Sequence, residues 1–373
     1  VQDPRERRNV TRSNHRNIDK ERADLSISKT YLNYLGKRWA GSRVAVAFVL
    51  TAGLLLLLTG CPRDEAPPAP RAGISSAPTS NPPPEPLAVA FNGERAMDHV
   101  RKQIDIGPHP PGTAALARTR DYIVNELKSY GLNVSTDQFT VATPQGEKQM
   151  VNVVGEVPGE SKDAIIVASH YDTKYFKDML FVGANDPAAS VAALLEIGRV
   201  LGSSREKRKL TYKLVFFDGE ESFCEGWDDC GKPDAPDNTY GSRHYVSQLR
   251  AKNQLTSTRA LILLDMMGYK NLELGRDTMS TKWLQDIVWQ TGGDLGYGTY
   301  FVNRPEGVGG DDHEPFLRAG IDAVDLIQLN GYPYWHKADD TIDKVSAESI
   351  RIVGATVLAS LPRIEARLTQ NAK

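Results

Sequence analysis

The sequence is poor in cysteine, in charge of one sign and in long apolar runs. Three cysteines in 373 residues cannot build a disulfide-rich scaffold. The net charge is only -2, but it is unevenly spread: residues 1–43 carry 11 Lys/Arg and 5 Asp/Glu, leaving 34 against 42 for the rest. An acidic main body does not suit a nucleic-acid partner. The run from Val44 to Leu58 has 15 apolar or small residues, short of the roughly 20 a spanning helix needs. No internal repeat is visible, so a solenoid or propeller is not indicated. What remains is an ordinary globular composition, 40% apolar and 25% charged. The length suits one large domain or two small ones.

The first part of the chain reads as an address and a spacer. Residues 1–36 are polar and suggest no fold. Lys37, Arg38 and Arg43 precede the apolar run, which ends in Leu58-Thr59-Gly60-Cys61. A basic flank, an apolar stretch and small residues before a cysteine make 37–61 an export signal. Its ending resembles a bacterial lipobox, which would make Cys61 a lipid-modified membrane anchor on an exported protein of the cell envelope. An uncleaved membrane anchor is the alternative. Residues 62–87 are rich in Pro, Ala and Ser and read as an extended tether. A catalytic domain is expected over 88–373.

Periodicity within that domain predicts helices over 94–104, 114–132, 188–201, 243–251, 281–291 and 347–368. Alternation at 134–141 and 150–157 predicts a strand pair. The short, fully apolar run 164–168 predicts a buried strand, 213–217 another, and 260–264 and 323–327 read as further strands. Buried strands alternating with helices imply an α/β fold, a mostly parallel mixed sheet with helices on both faces. In such sheets ligands bind beyond the carboxyl ends of the strands.

The groups that carry chemistry follow those strands. They are His170-Tyr171-Asp172, Asn185-Asp186, Glu220-Glu221, Asp265, Asp311-Asp312-His313 and Trp335-His336. Asp, Glu and His gathered on loops suit zinc and supply a carboxylate to move protons. The ordered set His170-x-Asp172, Asp186, Glu220-Glu221, Asp265 and His336 resembles the M28 zinc aminopeptidase superfamily. A narrower resemblance is to the animal-type glutaminyl cyclases, which convert N-terminal Gln to pyroglutamate and release ammonia. It is carried by the stretch from His170 to Phe176, Phe216 to Glu221, Tyr240 to His244, Asp311 to Leu317, and Trp335-His336. Residues 222–240 form an insertion bearing Trp227, as the cyclases have and typical M28 aminopeptidases lack.

The resemblance implies roles. Asp186, Glu221 and His336 would bind one zinc. Glu220 would shuttle a proton, and Asp265 and Asp311 would form a hydrogen-bonded carboxylate pair beside the metal. Trp227 and Trp335 would wall the substrate pocket and keep water out. Asp325 stands where the animal enzymes have a histidine of the same hydrogen-bond network, and is placed with the substrate-binding residues. The bridge that those enzymes form near the site is absent, its positions being Ser169 and Val191. The implied partners are peptides with a free N-terminal Gln, and a monomer is expected.

Alternatives stay open. His170 and Asp265 could hold a second metal, which would fit an M28-type aminopeptidase. A peptide-binding lipoprotein without catalysis is a third reading, against which the retained Glu220 speaks. Asp186 before Pro187 could merely open a helix. His244 reads as a helix-surface residue, His313 as support for the Asp311 loop, and His109 as an ordinary loop residue. Cys224 and Cys230 flank Trp227 and could pair in an oxidising compartment.

Overall fold

The computed structural model describes residues 86–370. The export signal, the lipobox Cys61 and almost all of the tether lie outside the described residues. Among the described residues no helix is long and apolar enough to cross a membrane.

The chain opens with α1 (Pro86–Val89), α2 (Gly93–Ile106) and α3 (Ala114–Ser129). Asn92 caps α2 by accepting the N–H groups of Glu94 and Arg95, and Thr113 caps α3 through Leu116 N–H. A long hairpin follows, β1 (Asn133–Thr143) and β2 (Gly146–Val157), then β3 (Ala164–His170). The segment Ala184–Ala189 leads into α4 (Ser190–Ser203), with Asp186 departing from helical geometry at φ -124° and ψ 90°. Next come β4 (Thr211–Phe217), the two-residue strands β5 (Gly231–Lys232) and β6 (Ala235–Pro236), α5 (Tyr240–Ala251) and β7 (Thr258–Asp265). The remainder is β8 (Leu274–Asp277), α6 (Lys282–Asp294), β9 (Phe301–Glu306), α7 (Glu314–Arg318), β10 (Ala323–Ile327) and α8 (Ala347–Gln370).

The main sheet has the order β1-β2-β4-β3-β7-β10. The four strands β4, β3, β7 and β10 are mutually parallel, and the hairpin adds antiparallel strands at one edge. The parallel strands are mostly apolar and buried because helices cover both faces, with Asp325 inside β10 a buried exception. Strand alternation sorts their side chains. Ile165 and Val167 join the large core under α2, α3, α4 and α8, while Ile166 and Ala168 pack with Tyr245, Leu249 and Phe316 of α5 and α7. From β3 the chain crosses to β4 on one side and later returns to place β7 on the other. The loops after these strands therefore diverge around one crevice, where ligands bind in such sheets.

The expected α/β architecture is the one observed. The helix expected over 188–201 starts at Ser190, because the preceding segment is given over to Asp186. Six short elements were not foreseen: α1, the two-residue strands β5 and β6, the parallel pair β8–β9 and the short α7.

Candidate active site

Three of the four parallel strands end in or run into a chemical group. β3 ends in His170 and β7 in Asp265, while β4 runs into Asp218-Gly219-Glu220-Glu221. The turn there is tight. Gly219 has φ +73°, and a Cβ at that position would sit 2.5 Å from Met150 Sδ, so glycine is required. Asp172 fixes the turn: its Oδ1 accepts the N–H of Gly219 (2.9 Å) and of Glu220 (3.1 Å), and its Oδ2 that of Glu221 (3.2 Å). Three N–H groups on one buried carboxylate hold both glutamates in register.

Asp186, Glu221 and His336 converge. His336 Nε2 lies 3.1 Å from Glu221 Oε1 and 3.6 Å from Asp186 Oδ2, and one potential ligand atom from each falls within 4.8 Å of the others. Ligand atoms about 2 Å from a tetrahedral zinc lie about 3.3 Å apart, so the set fits a zinc-sized cation. The second oxygen of Glu221 is buried and has no hydrogen-bond partner, an unmet acceptor that such an ion satisfies. Asp340 supports Asp186 from behind, accepting the N–H of Asn185 (2.9 Å) and Asp186 (3.2 Å) and the hydroxyl of Tyr332 (2.6 Å). Burial raises the Asp340 carboxyl to about 7.

The backbone around these residues is strained. Thr239, Met266 and His336 adopt φ of 49°, 44° and 55°, each costing on the order of 1–3 kcal/mol for a residue with a side chain. Thr239 N–H bonds the Glu220 carbonyl (2.8 Å), and Met266 follows Asp265 directly. The strain is thus gathered where the side chains meet.

His170 is fully enclosed, with Nε2 3.2 Å from both Asp186 Oδ1 and Asp265 Oδ1 and Nδ1 3.6 Å from Glu220 Oε2. Burial acts to lower its pKa, but Glu220 and hydrogen bonds to Asp172, Asp186 and Asp265 outweigh it and hold it well above the imidazole range. His170, Asp186 and Asp265 also form a second group close enough to hold an ion. Glu220 is 5% exposed, and burial lifts its carboxyl well above the ordinary range, with Glu221, Asp311 and Asp312 adding to the effect against His170.

A cavity of about 210 Å³ opens onto these groups. Asp186, Glu220, Glu221, Asp265, Asp311 and His336 form its floor, and Trp227, Asp228, Met266, Val308, Ile327, Leu329 and Trp335 its walls. Trp335 stacks on the His336 ring at 4.3 Å. Gly309 and Gly310, with φ of +88° and +152°, bend the chain over the cavity before Asp311. Cys224 and Cys230 are joined in a disulfide that closes the loop carrying Trp227.

Asp265 and Asp311 both reach the cavity, but their hydrogen-bonding neighbours differ. Asp265 meets His170 Nε2 at 3.2 Å, whereas Asp311 groups with His313 and Asp325, one atom of each lying within 4.8 Å of the others, and Asp311 Oδ2 and both Asp325 oxygens are buried without a hydrogen-bond partner. Burial, then the charge of Asp265, pushes Asp311 up to about 7.

Asp325 is a correction to the sequence reading, which placed it with the substrate-binding residues. It is fully buried and does not line the cavity. Alternation gives it the same face of β10 as Ile327, which does line the cavity, but two residues deeper, about 6–7 Å along the strand. His313 lies beside it, also fully buried, with Nε2 3.3 Å from Asp277 Oδ2 and Nδ1 3.8 Å from Asp325 Oδ2. His244 stacks on Phe139 and contacts Asp137 at the surface. His109 is fully buried against Gly107 and Thr173, not an ordinary loop residue.

Three supports had no assigned role in the sequence reading: Asp172, Asp340 and Lys174. Lys174 is a buried lysine whose Nζ bonds Ser222 O (2.9 Å), Ser222 Oγ (2.6 Å) and Cys224 O (3.1 Å) and lies 3.9 Å from Glu221 Oε2. The spacing of Asp172 and Lys174 after His170 was the available signal. Asp340, four residues past His336, offered none.

Residues 152–361 match peptidase family M28. The chain belongs to that family. Within M28, the glutaminyl-peptide cyclotransferase of Bos taurus is 28% identical over 291 residues, covering 64% of this chain and 74% of that protein. The glutaminyl cyclase structure from an Acidobacteriales bacterium is 32% identical with a TM-score of 0.69, covering 80% of this chain and 100% of that one. The leucine aminopeptidase precursor of Bacteroides thetaiotaomicron is 27% identical with a TM-score of 0.66, covering 72% of this chain and 96% of that one.

Proposed function

We propose that this M28 enzyme is a glutaminyl-peptide cyclotransferase, closing N-terminal Gln of peptides to pyroglutamate with release of ammonia. The observation that carries this reading is the buried Glu220, set between the Asp186–Glu221–His336 group and Asp311 in a small tryptophan-walled cavity. Glutaminyl-peptide cyclotransferases among the relatives point the same way.

Asp186, Glu221 and His336 would hold one zinc ion, which when bound polarises the γ-carbonyl of the substrate. Glu220 takes the proton that the α-amine loses as it attacks that carbon. A C–N bond forms, the γ-amide C–N bond breaks, and Glu220 returns the proton to the leaving ammonia. Its raised pKa suits an acid that must also act as a base. Asp265 and Asp311 accept the substrate's nitrogen hydrogens at the cavity floor. Trp227 and Trp335 exclude water, which would otherwise turn cyclisation into deamidation. Asp325, raised well above the ordinary carboxylate range by burial and by the charge of Asp311, acts on the substrate only through Asp311.

The paired Cys224 and Cys230 fit an oxidising compartment. This supports export of a lipid-anchored protein through residues 37–61, with Cys61 as the anchor.

The second reading is a two-metal aminopeptidase, favoured by the grouping of His170, Asp186 and Asp265. Incubating the zinc-loaded domain, residues 86–373, with a Gln-initiated and a Leu-initiated peptide separates the two by mass spectrometry. Ammonia loss from an intact Gln peptide is expected. Release of free amino acids would overturn the cyclase reading in favour of hydrolysis.

A further inference from the structure

The cavity adjoins a second depression of about 360 Å³, and Trp227, Asp228 and Gly309 line both. These three residues form a shared lip. A glutamine seated at the metal-binding group fills the first space, and the lip offers the residues after it a path into the second.

The charge on that lip is Asp228. It is exposed and has no hydrogen bond or ion pair among the described residues. Of the acidic residues around it, Glu225 and Asp234 line neither space, and the others are engaged. Asp229 accepts Gly226 N–H at 2.7 Å, Asp237 accepts the N–H groups of Phe223 and Cys224, and Glu314 pairs with Arg318 at 2.6 Å. The position of Asp228 is nevertheless fixed. The Cys224–Cys230 bond closes its loop, and Asn238 donates to the Trp227 carbonyl at 3.2 Å. Lys232 and Arg318, the latter paired with Glu314, line the second depression but not the cavity, so the lip itself carries only negative charge. A carboxylate held in place without an internal partner favours a cation brought next to it.

We infer that Asp228 is a specificity residue that favours peptides with Lys or Arg directly after the N-terminal Gln. The inference rests on the cyclase reading and adds the class of peptide to it. Because Asp228 is solvent-exposed, the preference is modest, about two- to fivefold, and salt weakens it.

The test compares kcat/KM of the zinc-loaded enzyme for Gln-Arg-Ala, Gln-Ala-Ala and Gln-Glu-Ala at low and high salt. The wild type is expected to rank them in that order, about two- to fivefold between the first two, with the spread shrinking at high salt. Asp228→Asn is expected to compress the ranking, Asp228→Glu to restore it and Asp228→Lys to reverse it. Equal rates in the wild type, or an unchanged ranking in Asp228→Asn, would overturn the specificity while leaving the cyclase reading intact. No cyclisation of any of the three would remove the reaction itself and this specificity with it.

Discussion

Asp172 Oδ1 accepts the backbone N–H of Glu220 at 3.1 Å, so Glu220 is held by a carboxylate from a different strand end. The same side chain takes Gly219 and Glu221. The loop after β3 thereby sets the geometry of the loop after β4. Removing it leaves three buried N–H groups unpaired and frees both glutamates.

Asp172→Ala is expected to lower unfolding stability by about 2–3 kcal/mol, the range for losing hydrogen bonds to a buried charge, and to reduce zinc binding through the displaced Glu221. Chemical denaturation and metal analysis of the purified variant check both. Wild-type stability together with full metal content would show that the turn holds itself.

Glu220 and Glu221 are adjacent, yet their substitution should separate cleanly. Glu220→Gln is expected to keep its zinc and lose turnover by about 10²- to 10⁴-fold, the usual contribution of a positioned proton carrier. Glu221→Gln is expected to lose the metal. Turnover near the wild-type level in a zinc-loaded Glu220→Gln protein would remove this residue from the mechanism.

Asp311 gives a pH signature. Its folded-state pKa is raised from the ordinary carboxylate value to about 7, so folding takes up a proton between about pH 4 and pH 7. The stability contributed in the protonated form is therefore fully present below about pH 4 and declines as pH rises towards 7, with no further change above it. Asp311→Asn abolishes that slope. Unfolding free energies of wild type and variant, measured from about pH 5 to about pH 8, are expected to diverge, with the wild type losing ground as pH rises. Parallel curves would mean that Asp311 titrates normally.

Much of this protein was legible one segment at a time. The four parallel strands announce themselves because burial on both faces demands nearly continuous apolar runs, unbroken in Ala164–Ala168 and interrupted only by Asp325 in Ala323–Ile327. The pair β8 and β9 does not, since Phe301–Glu306 carries Asn303, Arg304 and Pro305 and only its two end residues are buried. Asp186, Glu220, Glu221 and His336 were recognisable because acids and an imidazole recur in the order that resembles the M28 pattern, on the segments that follow or adjoin the strands.

Depth was not legible. Asp325 and Ile327 lie two residues apart on one face of one strand, and only the height of the cavity floor decides that one meets the substrate space and the other sits beneath it. Nor were the partners of Asp172, Lys174 and Asp340, whose bonds reach 47, 48 and 155 residues along the chain. Residue type and strand period, both local properties, determined the fold class and the reactive groups of this chain. Which carboxyl holds which amide, and which acid is shut away from water, depend on contacts between distant segments, and only the packed structure decides those.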